Sequence, residues 1–501
     1  VRLYTTCLEA LDRVEPTKPR DELRFEVLNG RQKVYEVLGR KDVARADLEG
    51  MVEVALKLAD KKRLSDGYLA RSAFSILNGE YLLAKEFAEK ALTLKREIGD
   101  RPGEGKALRL IGTALADLGE NKQALEFHSK ALKTYEGIVD KRGEASVLFH
   151  MGIAWYNLGD YRQALNSYEQ ALSIYREIHD RRMEGVVLCN LGVVYSRLGD
   201  YQQALISFRA DLDLNRELGD RRGEAADLHN IGILTKDGGS YELALQYCQQ
   251  ALDINRDVGD RREEGNCLGD IGDIHHRLGE YEKALAHHQE ALKIQREIGN
   301  KDSEGYQLND LGNVHESLGE YAKAVDFHQR ALSLGEEVGS KYLAVVSKNS
   351  LSKAYRLMGG TDELKSALKH SQEATELSSQ IGLRLGEIQG LSNQGMAYLS
   401  SGEIAKAADC SRKAVHMLEE KAQTGVLEEE VYFNHFKVMK EKGEEKEATD
   451  YLRKAYDEVS RKADSIKATG LRDSFLNRAT ISQKVVHEWR NVQDRNRESA
   501  K

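Results

Sequence analysis

The sequence predicts an all-α chain of stacked helical hairpins, an α-solenoid. Three observations carry that reading. The 501 residues contain three prolines, Pro16, Pro19 and Pro102, and proline interrupts helix interiors and central strands alike. An alanine recurs every 40 residues, at Ala84, Ala124, Ala164, Ala204, Ala244, Ala284 and Ala324. Around each one, apolar residues return at intervals of three and four, the spacing that lines one helical face.

The series extends upstream to Ala44 and, after a longer step of 43 residues, downstream to Ala367, Ala407 and Ala448. A second alanine follows seven residues on, at Ala91, Ala131, Ala171, Ala251, Ala291, Ala331, Ala374, Ala414 and Ala455, with Asp211 as the exception. About eleven hairpins are expected. Their organisation reads as divergent N-terminal helices over 1–60, seven regular units over 61–340, three divergent units over 341–463, and a capping helix with a tail over 464–501.

One unit shows the physics. In Gly185–Leu198, Leu188, Leu191, Tyr195 and Leu198 share a face. Gly199–Tyr201 then turns the chain, with glycine supplying the left-handed conformation of a helix end. In Tyr201–Leu218, Tyr201, Ala204, Leu205, Phe208 and Leu212 form the answering stripe. Gly192 lets the two helices approach, and Asp220 is placed to cap the next helix. Such a hairpin cannot bury its stripe alone, so neighbours must stack.

Leu191, Gly192, Tyr195, Gly199, Tyr201, Ala204 and Phe208 resemble the signature of the tetratricopeptide repeat (TPR): L-G-x-x-Y, a turn, then A and F. That family's period is about 34. The 40-residue period here is similar to the longer-helix variant of kinesin light chains and Rap-type bacterial regulators. The added length is roughly 9 Å per hairpin at about 1.5 Å per residue. The resemblance implies a right-handed superhelix that binds a protein or peptide on its concave surface. The flanking segments Arg31–Asp60 and Tyr451–Arg490 resemble the C-terminal repeat regions of large bacterial signal-transduction (STAND-type) ATPases and related regulators. This implies an upstream nucleotide-binding module, and Val1 opens mid-pattern, as in a chain cut from a longer one. Leu471, Phe475, Leu476, Ile481, Val485, Val486 and Trp489 are expected to close the last hairpin.

Net charge is −8 with both signs interspersed, which gives no reason to expect nucleic acid. No apolar run approaches the roughly 20 residues of a membrane span. Five scattered cysteines without a CxxC pair suit a reducing, cytoplasmic setting.

The stretch GDIHHRLGEYEKALAHHQEAL, Gly272–Leu292, holds four histidines. His275 falls at the Tyr195 position and His288 at the Phe208 position; His315 and His328 repeat both slots, and His128 fills the second. Packing imidazoles are expected there, hydrogen-bonded across the helix pair. The alternatives are a histidine-based pH response, since imidazole titrates near pH 6.5, and, less favoured, a metal-dependent enzyme using His275, His288, His315 and His328; a zinc site needs three or four convergent ligands, and no HExxH occurs. No metal site and no cofactor are expected. GEGKA, Gly103–Ala107, fails as a phosphate loop, because Asp100 replaces the first glycine and Ala107 the Ser/Thr. Neither a G-x-S-x-G elbow nor an activated cysteine setting is present, so the chain reads as non-catalytic. The Arg181/Arg182, Arg221/Arg222 and Arg261/Arg262 pairs read as solvated or inter-repeat ion pairs.

The first helix of each hairpin should line the concave face. Its inward positions give a candidate partner surface: Phe149, Ile153, Tyr156, Asn190, Val193, Asn230, Ile233, Asp270, Asp273, Asn309, Asp310, Asn313 and Glu316. The row runs from apolar with amides, through acidic, to basic after Lys353, with Arg356 farther on. Asn190 and Asn230 suit main-chain recognition, since an amide donates and accepts. The expected function is a peptide-binding scaffold, the sensor or regulatory arm of a larger signalling protein. A standalone adaptor is the runner-up. A possible partner is an upstream domain of the same parent chain; neither nucleic acid nor membrane is expected.

Overall fold

Aspartates start the helices. Asp100, Asp140 and Asp220 each accept a hydrogen bond from a backbone N–H three residues on, at 2.9–3.0 Å, satisfying one of the unpaired donors of the first turn. Glycine ends them: Gly199 adopts φ 81°, the left-handed conformation that closes α10 (Arg181–Leu198).

The computed structural model describes residues 1–420 and 428–499, which contain 25 α-helices and no strand. Two compact units are present. The first, Val1–Leu214, begins with α1 (Arg2–Asp12). It continues with the pairs α2 (Lys18–Val37) and α3 (Lys41–Lys57), α4 (Lys61–Leu77) and α5 (Tyr81–Glu97), α6 (Arg101–Asp117) and α7 (Asn121–Glu136), and α8 (Lys141–Asn157) and α9 (Tyr161–Glu177), then α10. The border falls within α11 (Tyr201–Leu218). The second unit, from Asn215, pairs α12 (Arg221–Asp237) with α13 (Tyr241–Val258), α14 (Arg261–Arg277) with α15 (Tyr281–Glu297), and α16 (Lys301–Ser317) with α17 (Tyr321–Val338). It goes on through α18 (Lys341–Met358) with α19 (Thr361–Gln380), α20 (Arg384–Ser400) with α21 (Ile404–Glu419), and α22 (Glu428–Lys442) with α23 (Glu445–Ser465). Two further helices, α24 (Thr469–Asn477) and α25 (Thr480–Ser499), end it.

The periodic alanines are where the hairpins close. Ala84, Ala124, Ala164, Ala204, Ala244, Ala284 and Ala324 are all fully buried, as are Ala91, Ala131, Ala171, Ala251, Ala291 and Ala331. The recurring pairing of glycine with a ring is geometric: a Cβ on Gly192 would lie 2.6 Å from the Phe208 ring. Leu198, placed on the buried stripe by its spacing, is exposed, because it is the last residue of α10 and lies beyond the packed turns.

Between hairpins, one arginine of each Arg–Arg pair binds a glutamate in the first turn of the same helix. Glu184 accepts from Arg176 and Arg181, and Glu224 from Arg216 and Arg221, at 2.6–3.0 Å. The GEGKA stretch lies in the first two turns of α6 and is helical. Within each unit, successive first helices touch: α4, α6 and α8 in the first, and α12, α14, α16, α18, α20 and α22 in the second. Successive second helices stand farther apart, so the first helices form the inner rank of a curved stack.

The end of unit 2 exceeds the expectation of a simple cap. As expected, α25 packs on α22 and α23, with Val485 and Val486 buried and Trp489 stacked on Tyr456. In addition, the chain end reaches hairpins roughly 200 residues earlier or more. Phe475 packs on Tyr241, the Tyr281 hydroxyl donates to the Arg478 carbonyl at 2.9 Å, and the Glu242 carboxylate accepts from the backbone N–H groups of Lys467 and Ala468.

Candidate functional site

In unit 1 the inner rank carries Phe149, Ile153 and Tyr156 on α8 and Asn190 and Val193 on α10, all half-buried. Phe149 packs against Tyr168 at 5.8 Å between ring centroids. Asn190 donates to its own helix at the Val186 carbonyl, 2.8 Å, and accepts a longer bond from the Tyr168 hydroxyl, 3.5 Å. The Tyr156 hydroxyl accepts from Arg197 at 3.1 Å. One repeat before Phe149, in the same register, stands Arg109. Its guanidinium faces His150 Nε2 at 3.4 Å, and among the described residues it has no carboxylate partner. Burial pushes the Arg109 pKa down and holds His150 at about 3, so His150 is neutral. The row read from the sequence began one repeat too late to include Arg109.

In unit 2, Asn230 and Ile233 on α12 are half-buried. Three of the four acidic positions, Asp270, Asp273 and Glu316, are internally paired. Asp270 accepts from His229 Nε2 at 2.8 Å and Lys236 at 2.7 Å. Asp273 lies 3.1 Å from the same Lys236 ammonium and 3.2 Å from Arg277. Despite their burial, these cations hold both carboxyls well below the usual range. Glu316 is buried, 3.2 Å from Lys353, which also pairs with Glu430 at 2.8 Å. Among the described residues Asp310 has no such partner, and burial lifts its pKa to about 6. Asn313 accepts from the Ser350 hydroxyl at 3.3 Å. Asn309 turns away from the inner wall: it is fully buried, with its Oδ1 2.9 Å from His328 Nδ1 inside the hairpin.

The histidines divide between two jobs. His288 and His328 lie under Gly272 and Gly312, where Phe208 lies under Gly192. Each is hydrogen-bonded across to a side chain of α16, His288 Nδ1 to Gln307 Oε1 at 3.0 Å and His328 to Asn309. His275 and His315 instead bind Glu280 and Glu320 at their own turns, at 2.7 and 2.6 Å, and stack on His287 and Phe327. The four rings thus serve four separate partners and do not converge as a ligand set. Burial holds His328 at about 3 and His276 at about 4, so neither titrates near neutrality.

Inside unit 2 the inner faces of α14, α16, α18 and α22, closed by α24 and the start of α25, surround a cavity of about 510 Å³. Asp273, Asn313 and Glu316 line it, as do Lys353, Arg356, Lys437 and Lys484. Lys437 and Lys484 escaped the sequence reading because the 40-residue register is lost beyond 340, so no alignment to earlier repeats pointed to them. No helix among the described residues is long and apolar enough to cross a membrane.

Tetratricopeptide-repeat family models match residues 68–137, 143–217 and 223–297, and a second such model matches 307–342. A model of anaphase-promoting complex subunit 5 matches 431–495. No curated protein matches the sequence. Among solved structures, the chain is similar to the apo form of the quorum sensor NprR from B. thuringiensis, at 15% identity and TM-score 0.52, over 70% of this chain and 98% of that one. A Rap protein complexed with competence and sporulation factor is similar at 15% identity and TM-score 0.50, over 80% and 99%. A STAND protein with a tetratricopeptide repeat sensor from Pyrococcus horikoshii reaches 17% identity and TM-score 0.46, over 77% and 55%, and carries no weight at that score. These likenesses are of fold. The repeat matches span just over half of the sequence, and together with the hairpins whose glycines seat a partner ring they make the chain a member of the tetratricopeptide-repeat family.

Proposed function

We propose that the chain is a non-catalytic scaffold that binds a protein or peptide along its inner helices, as the sensor or regulatory arm of a larger signalling protein. The observation that carries this is the row on α8 and α10. Phe149, Ile153, Tyr156 and Val193 keep part of their apolar surface open on the inner rank, beside the amide of Asn190. Apolar anchors with a few orienting polar groups are what a peptide groove requires. Arg109, lacking a carboxylate of its own, adds a positive group in the same register. The similar Rap protein was solved with competence and sporulation factor bound, which agrees with a peptide ligand. In unit 2, taken by itself, Asn230 and Ile233 on α12 hold the corresponding repeat positions, whereas Asn309 serves the hairpin interior. A cytoplasmic setting fits five thiols, none of them in a disulfide.

The test is affinity capture on the immobilised chain with mass-spectrometric identification, repeated with Phe149→Ala and Asn190→Ala. A specific partner retained by the parent chain and lost by both variants supports the reading. A partner retained equally by the variants removes this surface from consideration. A standalone adaptor is the runner-up, and a reading frame without a nucleotide-binding module ahead of Val1 would favour it.

A further inference from the structure

The cavity of unit 2 has an uneven charge account. Each carboxylate that lines it already holds a cation: Asp273 with Arg277 and Lys236, Glu316 and Glu430 with Lys353, and Glu429 with Lys462 at 2.7 Å. Four lining cations are left over: Arg356 of α18, Lys437 of α22 and Lys484 of α25, on three different helices, and Arg478, which ends α24. None of them is in an ion pair among the described residues. The Nε of Arg356 is buried without a hydrogen-bond partner. Among the described residues the Lys437 ammonium is placed over the face of Phe433, 4.5 Å away, with no carboxylate partner. A buried donor left unsatisfied is costly, and so is a cluster of like charges.

We propose that this cavity binds a small organic anion, its phosphate or carboxylate group seated among Arg356, Lys437 and Lys484. The volume of about 510 Å³ falls within the range of small-molecule sites, about 300–1,000 Å³. Asn434 and Gln389 also line it and supply neutral polar groups for the rest of a ligand. The exposure of Lys484 leaves one side open to solvent for entry. Arg356, Lys437 and Lys484 also sense one another: burial first, then Lys484 and Arg356, push the Lys437 pKa down to about 8, and Lys484, open to solvent on one side only, is lowered by burial of the other and by Lys353 and Arg356. An anion would relieve that repulsion. The inference concerns unit 2 alone and does not rest on the peptide reading.

The experiment titrates the full chain calorimetrically with inorganic phosphate and, separately, with citrate, at ionic strength held constant with sodium chloride. The two probes distinguish a phosphate site from a carboxylate site. The expected result is saturable binding of at least one, weakened at least about tenfold in Lys437→Gln/Lys484→Gln, a variant that keeps the parent's melting temperature. Amine labelling read by mass spectrometry gives a second measurement: the bound probe protects Lys437 and Lys484 and leaves the exposed Lys446 unchanged. Absence of saturable binding by both probes, binding undiminished in the double variant, or equal protection of all three lysines would overturn the proposal.

Discussion

The ring of Phe475 lies 5.7 Å from that of Tyr241, and both side chains are almost wholly buried. The same chain end covers the next turn. Leu278 is 0% exposed, whereas its counterpart Leu318, one repeat later and uncovered, is 41% exposed. The footprint therefore spans the turns of two consecutive hairpins in unit 2.

Phe475→Ala should destabilise unit 2 by about 3–5 kcal/mol, the usual cost of emptying a buried aromatic site. Hydrogen exchange is the discriminating measurement. Amides of α24 and of the second turn of α13 should lose protection, since the ring is the apolar contact that joins them. Unchanged exchange at both places would contradict this contact.

Gly192→Val tests the helix approach inside a hairpin. The added carbons meet the Phe208 ring, with even a Cβ at 2.6 Å, and overpacking of this kind costs about 1–3 kcal/mol. Thermal denaturation should show a lowered midpoint. An unaltered melting curve would mean that α10 and α11 have room to spare.

Lys353→Met removes the one cation that Glu316 and Glu430 share. Two carboxylates are then left inside the cavity wall, at a cost of about 3–5 kcal/mol near neutral pH. Burial already raises the Glu316 pKa in the parent, and without Lys353 it rises further and that of Glu430, now held down, rises with it, so both should stand above their unfolded values. Stability of the variant is therefore lost as pH rises through them, and its deficit relative to the parent should shrink on acidification. Urea unfolding at two pH values reads this directly; a deficit independent of pH would rule out the mechanism.

Asp310→Asn carries the opposite sign. The parent's carboxyl has a folded pKa of about 6 against an ordinary 3.8. Its contribution is complete below the ordinary value and is lost as pH rises through about 6. Asparagine carries no charge to bury, so the variant should be more stable than the parent above that pH, with the gap closing below it. A melting series across the window checks the trend.

The sequence made the hairpins readable because each unit repeats the same physical solution. Alanine at the crossing, glycine opposite a ring and aspartate at the cap are all local rules with a fixed spacing, and Ala204, Gly192 and Asp220 follow them. The exchange of Phe208 for His288 or His328 was legible for the same reason. Side-chain direction was harder. Asn309 and Asp310 are adjacent in sequence, yet one bonds His328 inside the hairpin and the other remains at the wall. The acidic stretch looked available because Lys236, which neutralises Asp270 and Asp273, stands on the preceding first helix. Least legible was the return of the chain end onto Tyr241 and Tyr281, for no repeat register relates residues so far apart.

That return changes how unit 2 should unfold. A repeat array linked only through nearest neighbours can fray from its ends, one hairpin at a time. Here α23 touches α13 and α24 seals Phe475 onto Tyr241, so the terminal hairpin cannot peel away without opening one near the start of the unit. The consequence is cooperativity: unit 2 should melt as a single block, and a modest trim of its last helices should weaken hairpins that are remote in the chain.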